Sequence, residues 1–124
     1  MKKEIIIIIV IVLLVVISDT IFTSMTDKRV EDIISRLEEI KEEKNLKNRI
    51  DKAEELKSTW KAYFVELEFY IEHNDLEKIS IEIEDLYCYC KSDNEEEWEN
   101  SIARLKSMSE HIKDKHRLKL NNFF

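Results

Sequence analysis

The side chains best suited to acid–base or metal chemistry are few, and their spacing does not favour a shared site. His73, His111 and His116 are the only histidines. His111 and His116 are five residues apart, off the i, i+4 spacing that places two ligands on one helical face. Because the chain contains no Gly, it cannot form a glycine-rich phosphate loop or a nucleophile elbow. We therefore expect no catalytic activity and no bound metal or cofactor.

The two cysteines, Cys88 and Cys90, also give little support for a redox or metal site. Two residues apart on a helix, they point to nearly opposite sides and cannot easily form a disulfide with each other. A redox or metal pair would more naturally have the spacing CxxC. We expect Cys88 or Cys90 to act as a small apolar filler.

The strongest pattern in the sequence is an unbroken run of Ile, Val and Leu at residues 5–17, directly behind two lysines. Such a run is typical of a segment that leaves water for a bilayer. Continued to Phe22, it would form a helix of about 27 Å, slightly short of a hydrocarbon core of about 30 Å. Asp19 is costly in lipid, but it lies near one end and can reach the interface. The sequence therefore predicts a membrane-spanning helix at residues 5–22.

The charges beside this segment predict its orientation in the cell membrane. Lys2, Lys3 and the terminal amine favour a cytoplasmic N-terminus and an extracytoplasmic C-terminal domain, although Lys28 and Arg29 on the far side oppose this inference. A cleaved secretory signal is the alternative, since an apolar region of about 7 to 15 residues behind Lys has the same form. The protein would then be secreted. Residues 18–24 lack a clean small-x-small cleavage site, which favours an uncleaved signal anchor.

The remainder of the chain predicts helices. It contains no Gly and no Pro, and 38% of all residues are charged. Apolar residues at three-four spacing indicate amphipathic helices around 30–40, at 46–73, after 75 and after 94. The predicted corners are Lys44-Asn45, His73-Asn74-Asp75 and Ser92-Asp93-Asn94. At the second corner, Asn74 or Asp75 is the predicted N-cap of the following helix. After the third corner, Glu95, Glu96 and Glu97 form the first turn of the last helix.

One stretch, residues 79–84, alternates strictly and also fits a half-buried strand. We reject the strand because no second alternating run exists for it to pair with. The predicted fold is therefore all-α, with an N-terminal transmembrane helix followed by an antiparallel bundle of about four helices. Nothing between Thr20 and Val30 forces a break, so the two parts are predicted to be continuous. The predicted regions are a cytoplasmic N-terminus at 1–4, a membrane helix at 5–22, a bundle at 27–113 and a basic, aromatic tail at 114–124.

Aromatic residues are concentrated on the second predicted helix, where such stripes are usually core. Phe69 falls off the main stripe, so we expect it to be exposed and available to a partner. His73, at a predicted helix end, is expected to bond a carbonyl or to cap the corner. The tail could close the end of the bundle, or it could contact anionic lipid or an acidic partner.

Three motifs together resemble a known bacterial family. They are Ala53-x-x-Leu56-x-x-x-Trp60, Ile71-Glu72-His73-Asn74-Asp75-Leu76-x-x-Ile79 and Arg117-Leu118-x-Leu120-x-Asn122-Phe123. With the lysine-led apolar anchor, this pattern resembles the domain of unknown function 4363 family. The resemblance implies a short protein with one membrane segment and a helical remainder, and it supplies no mechanism. Together with exposure, it selects as candidate positions Trp60, Phe69, His73, Asn122 and Phe123.

These observations predict a membrane-tethered interaction or accessory module on the extracytoplasmic face. Its expected partners are the lipid bilayer, through residues 5–22, and another membrane protein. The alternative is a sensory or small-ligand-binding domain that would signal through a partner membrane protein. The formal net charge of −7 argues against nucleic acid, because phosphate binding needs a cationic face. A homo-oligomer is left open.

Overall fold

The computed structural model describes residues 1–123, with side chains described for residues 1–115. It consists of α1 (Lys2–Glu42), α2 (Leu46–Leu67), α3 (His73–Lys91) and α4 (Glu95–Phe123). Each helix packs on its neighbours in the chain, and α4 closes the bundle against α1. This is an up-down-up-down four-helix bundle. The all-α prediction is confirmed, and residues 79–84 belong to α3 rather than to a strand.

Helix α1 is continuous from the apolar run into the bundle, as predicted. Its residues 5–17 are exposed, whereas Val30, Ile33, Leu37 and Ile40 are buried against the other helices. No Gly or Pro interrupts it, so the usual causes of a sharp kink are missing. By length and composition, α1 could cross a membrane. The first bundle helix and the candidate membrane span are therefore one element.

The predicted apolar stripes form the core of the bundle. All five stripe positions of α3 are buried, namely Leu76, Ile79, Ile83, Leu86 and Cys90. Lys57 interrupts the stripe of α2 beside the fully buried Leu56. Its Nζ lies 3.1 Å from Glu84 and 4.3 Å from the centroid of the Tyr87 ring. The aliphatic part of this lysine thus covers the edge of the core while its charge stays at the surface.

The predicted end of α2 at residue 73 is wrong. The helix ends at Leu67, and residues 68–72 form the corner. The amides of Tyr70 and Ile71 both donate to the Leu67 carbonyl, at 3.1 and 2.9 Å, which closes the turn. The Tyr70 ring then packs against Phe22, with centroids 3.7 Å apart. The helix therefore ends at a corner that contacts α1, although the apolar spacing continues to Ile71.

The start of α3 also differs from the prediction. Glu72 occupies the N-cap position without a side-chain capping bond, so neither Asn74 nor Asp75 is the N-cap. Asp75 lies in the first turn, where the helix dipole favours a carboxylate. Its Oδ2 accepts a hydrogen bond from Lys115 Nζ at 3.0 Å. The carboxylate thus ties α3 to α4 instead of capping its own helix.

The other two corners lie where they were predicted. Asn45 caps α2, because its Oδ1 accepts the amide of Asn48 at 3.1 Å. At the third corner, Asp93 takes a left-handed conformation with φ of 52°. Aspartate tolerates this region better than most residues, which suits a corner in a chain without glycine.

Candidate interaction surface

The histidines, cysteines and carboxylates are the side chains best suited to chemistry. Among residues 1–115, no group of three or more His, Cys, Asp or Glu side chains is arranged to hold a metal ion. Cys88 and Cys90 are both free thiols, the first exposed and the second buried. Burial raises the pKa of Cys90 to about 11, so this thiol is a poor nucleophile at neutral pH. Cys90 is part of the core, as its predicted filler role requires.

The core between the four helices contains a small void. A void between Val30, Trp60, Ile79 and neighbouring side chains has a volume of about 10 Å³. This is about the space needed for one water molecule, whereas pockets for small molecules occupy about 300 to 1,000 Å³. A larger space of about 390 Å³ between α3 and α4, which includes Lys78 and His111, is an open surface groove. Neither of these two spaces is an enclosed cavity of ligand size.

Trp60 is a core residue and does not form an interaction surface. Its side chain is only 5% exposed. The indole Nε1–H donates to Ser80 Oγ at 2.8 Å, and this hydroxyl donates to the Leu76 carbonyl at 3.2 Å. The Phe64 ring meets the indole edge-on, with centroids 6.3 Å apart. Trp60 therefore joins α2 to α3 with its polar atom satisfied.

His73, unlike Trp60, is largely exposed to solvent. It is the first residue of α3, and its side chain is 67% exposed. The imidazole packs edge-on against Phe64, with centroids 5.6 Å apart, and Nε2 lies 3.7 Å from a Glu77 carboxylate oxygen. Because Glu72 holds the N-cap position, His73 does not cap the helix. The Phe64 ring thus connects two candidate positions, the buried Trp60 and the exposed His73.

Phe69 is exposed, as predicted, at the tip of the corner between α2 and α3. Its side chain is 78% exposed, the highest exposure among the large apolar residues of the bundle described here. It lies beside Tyr70, with ring centroids 6.5 Å apart, and Tyr70 in turn packs on Phe22 of α1. We call Phe22, Phe69 and Tyr70 the aromatic corner. It is the point at which the bundle meets the exposed apolar part of α1.

Ion pairs fix the helices around the aromatic corner. Arg29 Nε lies 3.0 Å from a Glu66 oxygen, which joins α1 to α2. Lys115 Nζ lies 3.1 Å from Glu72 and 3.0 Å from Asp75, and hydrogen bonds to Asp75 and Glu72 raise the pKa of Lys115. Exposed pairs of this kind contribute only about 0 to 1 kcal/mol each. Their main effect is to set the register of the helices and to neutralise the nearby cations.

A polar cluster between α1 and α2 was not predicted from the sequence. Asp32 accepts hydrogen bonds from the Tyr63 hydroxyl and from Arg36 Nε, the latter at 3.0 Å. Burial alone would raise the pKa of Asp32, but the two hydrogen bonds outweigh it and hold the pKa below its usual value. The periodicity of α1 places this residue beside the buried Ile33, which marks it as a boundary position without naming its partner.

Two charged residues inside the apolar stripes were also missed. Glu82 is 8% exposed and accepts bonds from Ser101 Oγ at 2.9 Å and Arg104 Nε at 2.7 Å. Arg49 is 9% exposed, and its guanidinium carbon lies 4.5 Å from the centroid of the Trp98 ring. Both could have been recognised from the sequence as charged residues that interrupt an apolar stripe. Each fixes the packing of the bundle, and neither faces an open site.

The comparison with known proteins decides the family. The family model described as Domain of unknown function (DUF4363) matches residues 16–123. The chain belongs to this family. The match begins within the apolar run and continues through all four helices, so it covers the DUF4363 bundle as a whole. No curated protein and no solved structure matches the chain.

Two candidate positions of this DUF4363 protein, Asn122 and Phe123, have side chains outside the described residues. The backbone of α4 nevertheless continues to Phe123, so residues 114–123 extend the fourth helix. Lys115, at the start of this segment, contacts the corner through Glu72 and Asp75. The two predicted roles of the segment, bundle closure and contact with lipid or an acidic partner, both stay predictions.

Proposed function

We propose that this DUF4363 protein is a membrane-anchored interaction module. Its bundle acts on the extracytoplasmic face through contact with another membrane protein. The observation that carries the proposal is a bundle with a buried apolar core, built on the same continuous helix as an exposed apolar segment. Such a bundle offers its outer surface for recognition. A helix with residues 5–17 exposed offers a means of holding that surface at a membrane.

The anchor is supported by the cost of leaving such a segment in water. Thirteen consecutive Ile, Val and Leu side chains at 5–17 pack against nothing in the bundle, and each is at least 37% exposed. Removing a large aliphatic side chain from water contributes about 1.5 to 3 kcal/mol. A bilayer supplies that apolar surrounding along the whole segment, and the helix satisfies its own backbone hydrogen bonds there.

The orientation is supported by the positions of the charges. Lys2, Lys3 and the terminal amine directly precede the apolar run, where cytoplasmic cations are typical. On the other side, Arg29 is engaged with Glu66 and lies 4.7 Å from the centroid of the Tyr63 ring. It is therefore part of the bundle packing rather than a free flanking cation. Lys28 is left as a flanking cation on that side, against Lys2, Lys3 and the terminal amine on the other, which favours a cytoplasmic N-terminus and an extracytoplasmic bundle.

The sensory alternative would require a small molecule held between the helices, and the void at Val30, Trp60 and Ile79, of about 10 Å³, gives no room for one. An enzyme would require acid, base or nucleophile side chains that converge in a cleft. Among residues 1–115, no group of three or more His, Cys, Asp or Glu side chains could hold a metal ion, and the thiol of Cys90 is buried. Both considerations favour recognition by an outer surface.

A crosslinking pull-down from native membranes tests the interaction. The full chain is compared with a control in which residues 1–25 carry an unrelated soluble domain in place of the bundle. We expect a specific membrane protein to crosslink to the full chain and not to the control, because the bundle supplies the recognising surface. Capture of the same proteins by both chains, or by neither, would contradict an interaction role for the bundle.

A further inference from the structure

We propose that the aromatic corner is seated in the headgroup region of the bilayer, with Phe69 as the inserted side chain. This inference rests on the proposed anchoring by α1, and it adds a second point of membrane contact. The bundle would then be held by a helix and by a neighbouring corner, so that it could not swing freely about its anchor.

The first step is the fixed position of the corner relative to the apolar segment. Phe22 ends that segment, and its ring packs directly on Tyr70, with centroids 3.7 Å apart. Glu66 of α2 lies opposite Arg29 of α1, and the two helices run in opposite directions. Three residues beyond Glu66, Phe69 therefore lies near the level of Thr26. The corner is thus held about one turn beyond the end of the apolar segment.

The second step compares lengths along α1. Residues 5–22 span about 27 Å, whereas a bilayer with its headgroup regions is about 40 to 45 Å thick. A centred span leaves about 7 to 9 Å of headgroup region at each end, which corresponds to about five or six further residues of helix. The headgroup region then extends along α1 to about residue 27. Phe69 and Tyr70 lie at this level.

The third step is the chemistry of the corner. Phe69 exposes an apolar ring, and Tyr70 combines an apolar ring with a hydroxyl, as aromatic residues of interfacial belts do. These side chains gain from contact with acyl chains just below the headgroups. The surface suits an interface that is apolar on one side and wet on the other.

The charges around the corner indicate whether anionic headgroups or the apolar part of the bilayer holds it. Arg29 is paired with Glu66, and Lys115 is paired with Glu72 and Asp75. Both of these cations are therefore already paired within the protein. Insertion of apolar side chains, rather than attraction to anionic lipid, holds the corner. We expect the same depth in phosphatidylcholine vesicles with and without phosphatidylglycerol.

Spin labels on the full chain in these vesicles test the proposal. All labelled variants also carry Cys88→Ser, which removes the exposed native thiol. The buried Cys90 is expected to remain unlabelled, and treating the Cys88→Ser protein alone with the spin label verifies this. Labels are placed by Phe69→Cys, by Ile81→Cys and by Ile11→Cys. Ile81 is 56% exposed and lies about 12 Å along α3 from His73, so it is the matched exposed apolar control. Accessibility to dissolved oxygen and to a water-soluble nickel chelate reports depth.

The oxygen-to-nickel accessibility ratio should be severalfold higher at position 69 than at 81, and highest at position 11. A label at Glu68→Cys, which leaves the Phe69 ring in place, should again exceed position 81. An accessibility ratio at position 69 equal to that at position 81 would overturn the proposal. Shielding of position 69 from both oxygen and the nickel chelate would also overturn it, because it would indicate that protein covers the corner. Insertion of position 69 only in vesicles that contain phosphatidylglycerol would overturn the inference that apolar side chains hold the corner. A water-accessible label at 11 would instead refute the anchor, and the proposed function with it.

Discussion

A fragment that begins at Thr26 should fold into a strongly helical domain, whereas a fragment that begins at Asn45 should be unfolded. The fragment from Thr26 keeps the C-terminal half of α1, including the buried side chains of Val30, Ile33 and Leu37. The fragment from Asn45 lacks it. Ile40 is buried in the same stripe. Burying these four side chains contributes about 6 to 12 kcal/mol, at about 1.5 to 3 kcal/mol each. This is comparable with the whole stability of a small domain, about 5 to 15 kcal/mol.

Far-ultraviolet circular dichroism during heating distinguishes the two fragments. The fragment from Thr26 should show a helical spectrum and a cooperative melt, since α1 closes the bundle against α2 and α4. The fragment from Asn45 should show little helix and no cooperative transition. A cooperative melt of the shorter fragment would contradict the assignment of α1 to the bundle. A spectrum dominated by strand or coil in the longer one would refute the fold.

The substitution Leu56→Ala should lower the free energy of unfolding of the fragment from Thr26 by about 2 to 5 kcal/mol. Leu56 has no exposed surface, and the filled core has little freedom to collapse into the cavity that alanine would leave. The matched control is Leu46→Ala, the same change on the same helix at a site that is 40% exposed. It should cost no more than about 0.5 kcal/mol, as surface substitutions generally do.

Urea denaturation of both variants measures the difference. The midpoint should fall strongly for Leu56→Ala and change little for Leu46→Ala, with similar slopes for the two. Equal losses at both positions would mean that α2 does not present the face seen here to the core. The comparison also tests the register of α2, because a helix rotated about its axis would exchange the two effects.

The sequence could predict which faces of the helices are buried, because that information is local and periodic. The stripe of α3 from Leu76 to Cys90 follows from spacing alone, and so does the exposure of Phe69, which falls off the stripe of α2. The continuity of α1 also follows, since no residue between Thr20 and Val30 disfavours a helix. These features need no knowledge of which helix packs on which.

The features that were missed depend on contacts between helices. The corner after Leu67 brings Tyr70 against Phe22, which lies far away in the sequence. Glu82 is buried because Ser101 and Arg104 reach it from α4. Such pairings require the three-dimensional arrangement. A sequence can mark a charged residue on an apolar stripe as unusual without indicating its partner.

Reporter fusions after Phe124 test the central claim most directly, namely an anchored bundle outside the cytoplasm. A reporter that is active only outside the cytoplasm should be active, and one that is active only inside should be silent. The mass of the protein recovered from membranes should include residues 1–22. Cytoplasmic reporter activity would contradict the orientation, and a mature N-terminus at residues 18–24 would contradict the anchor.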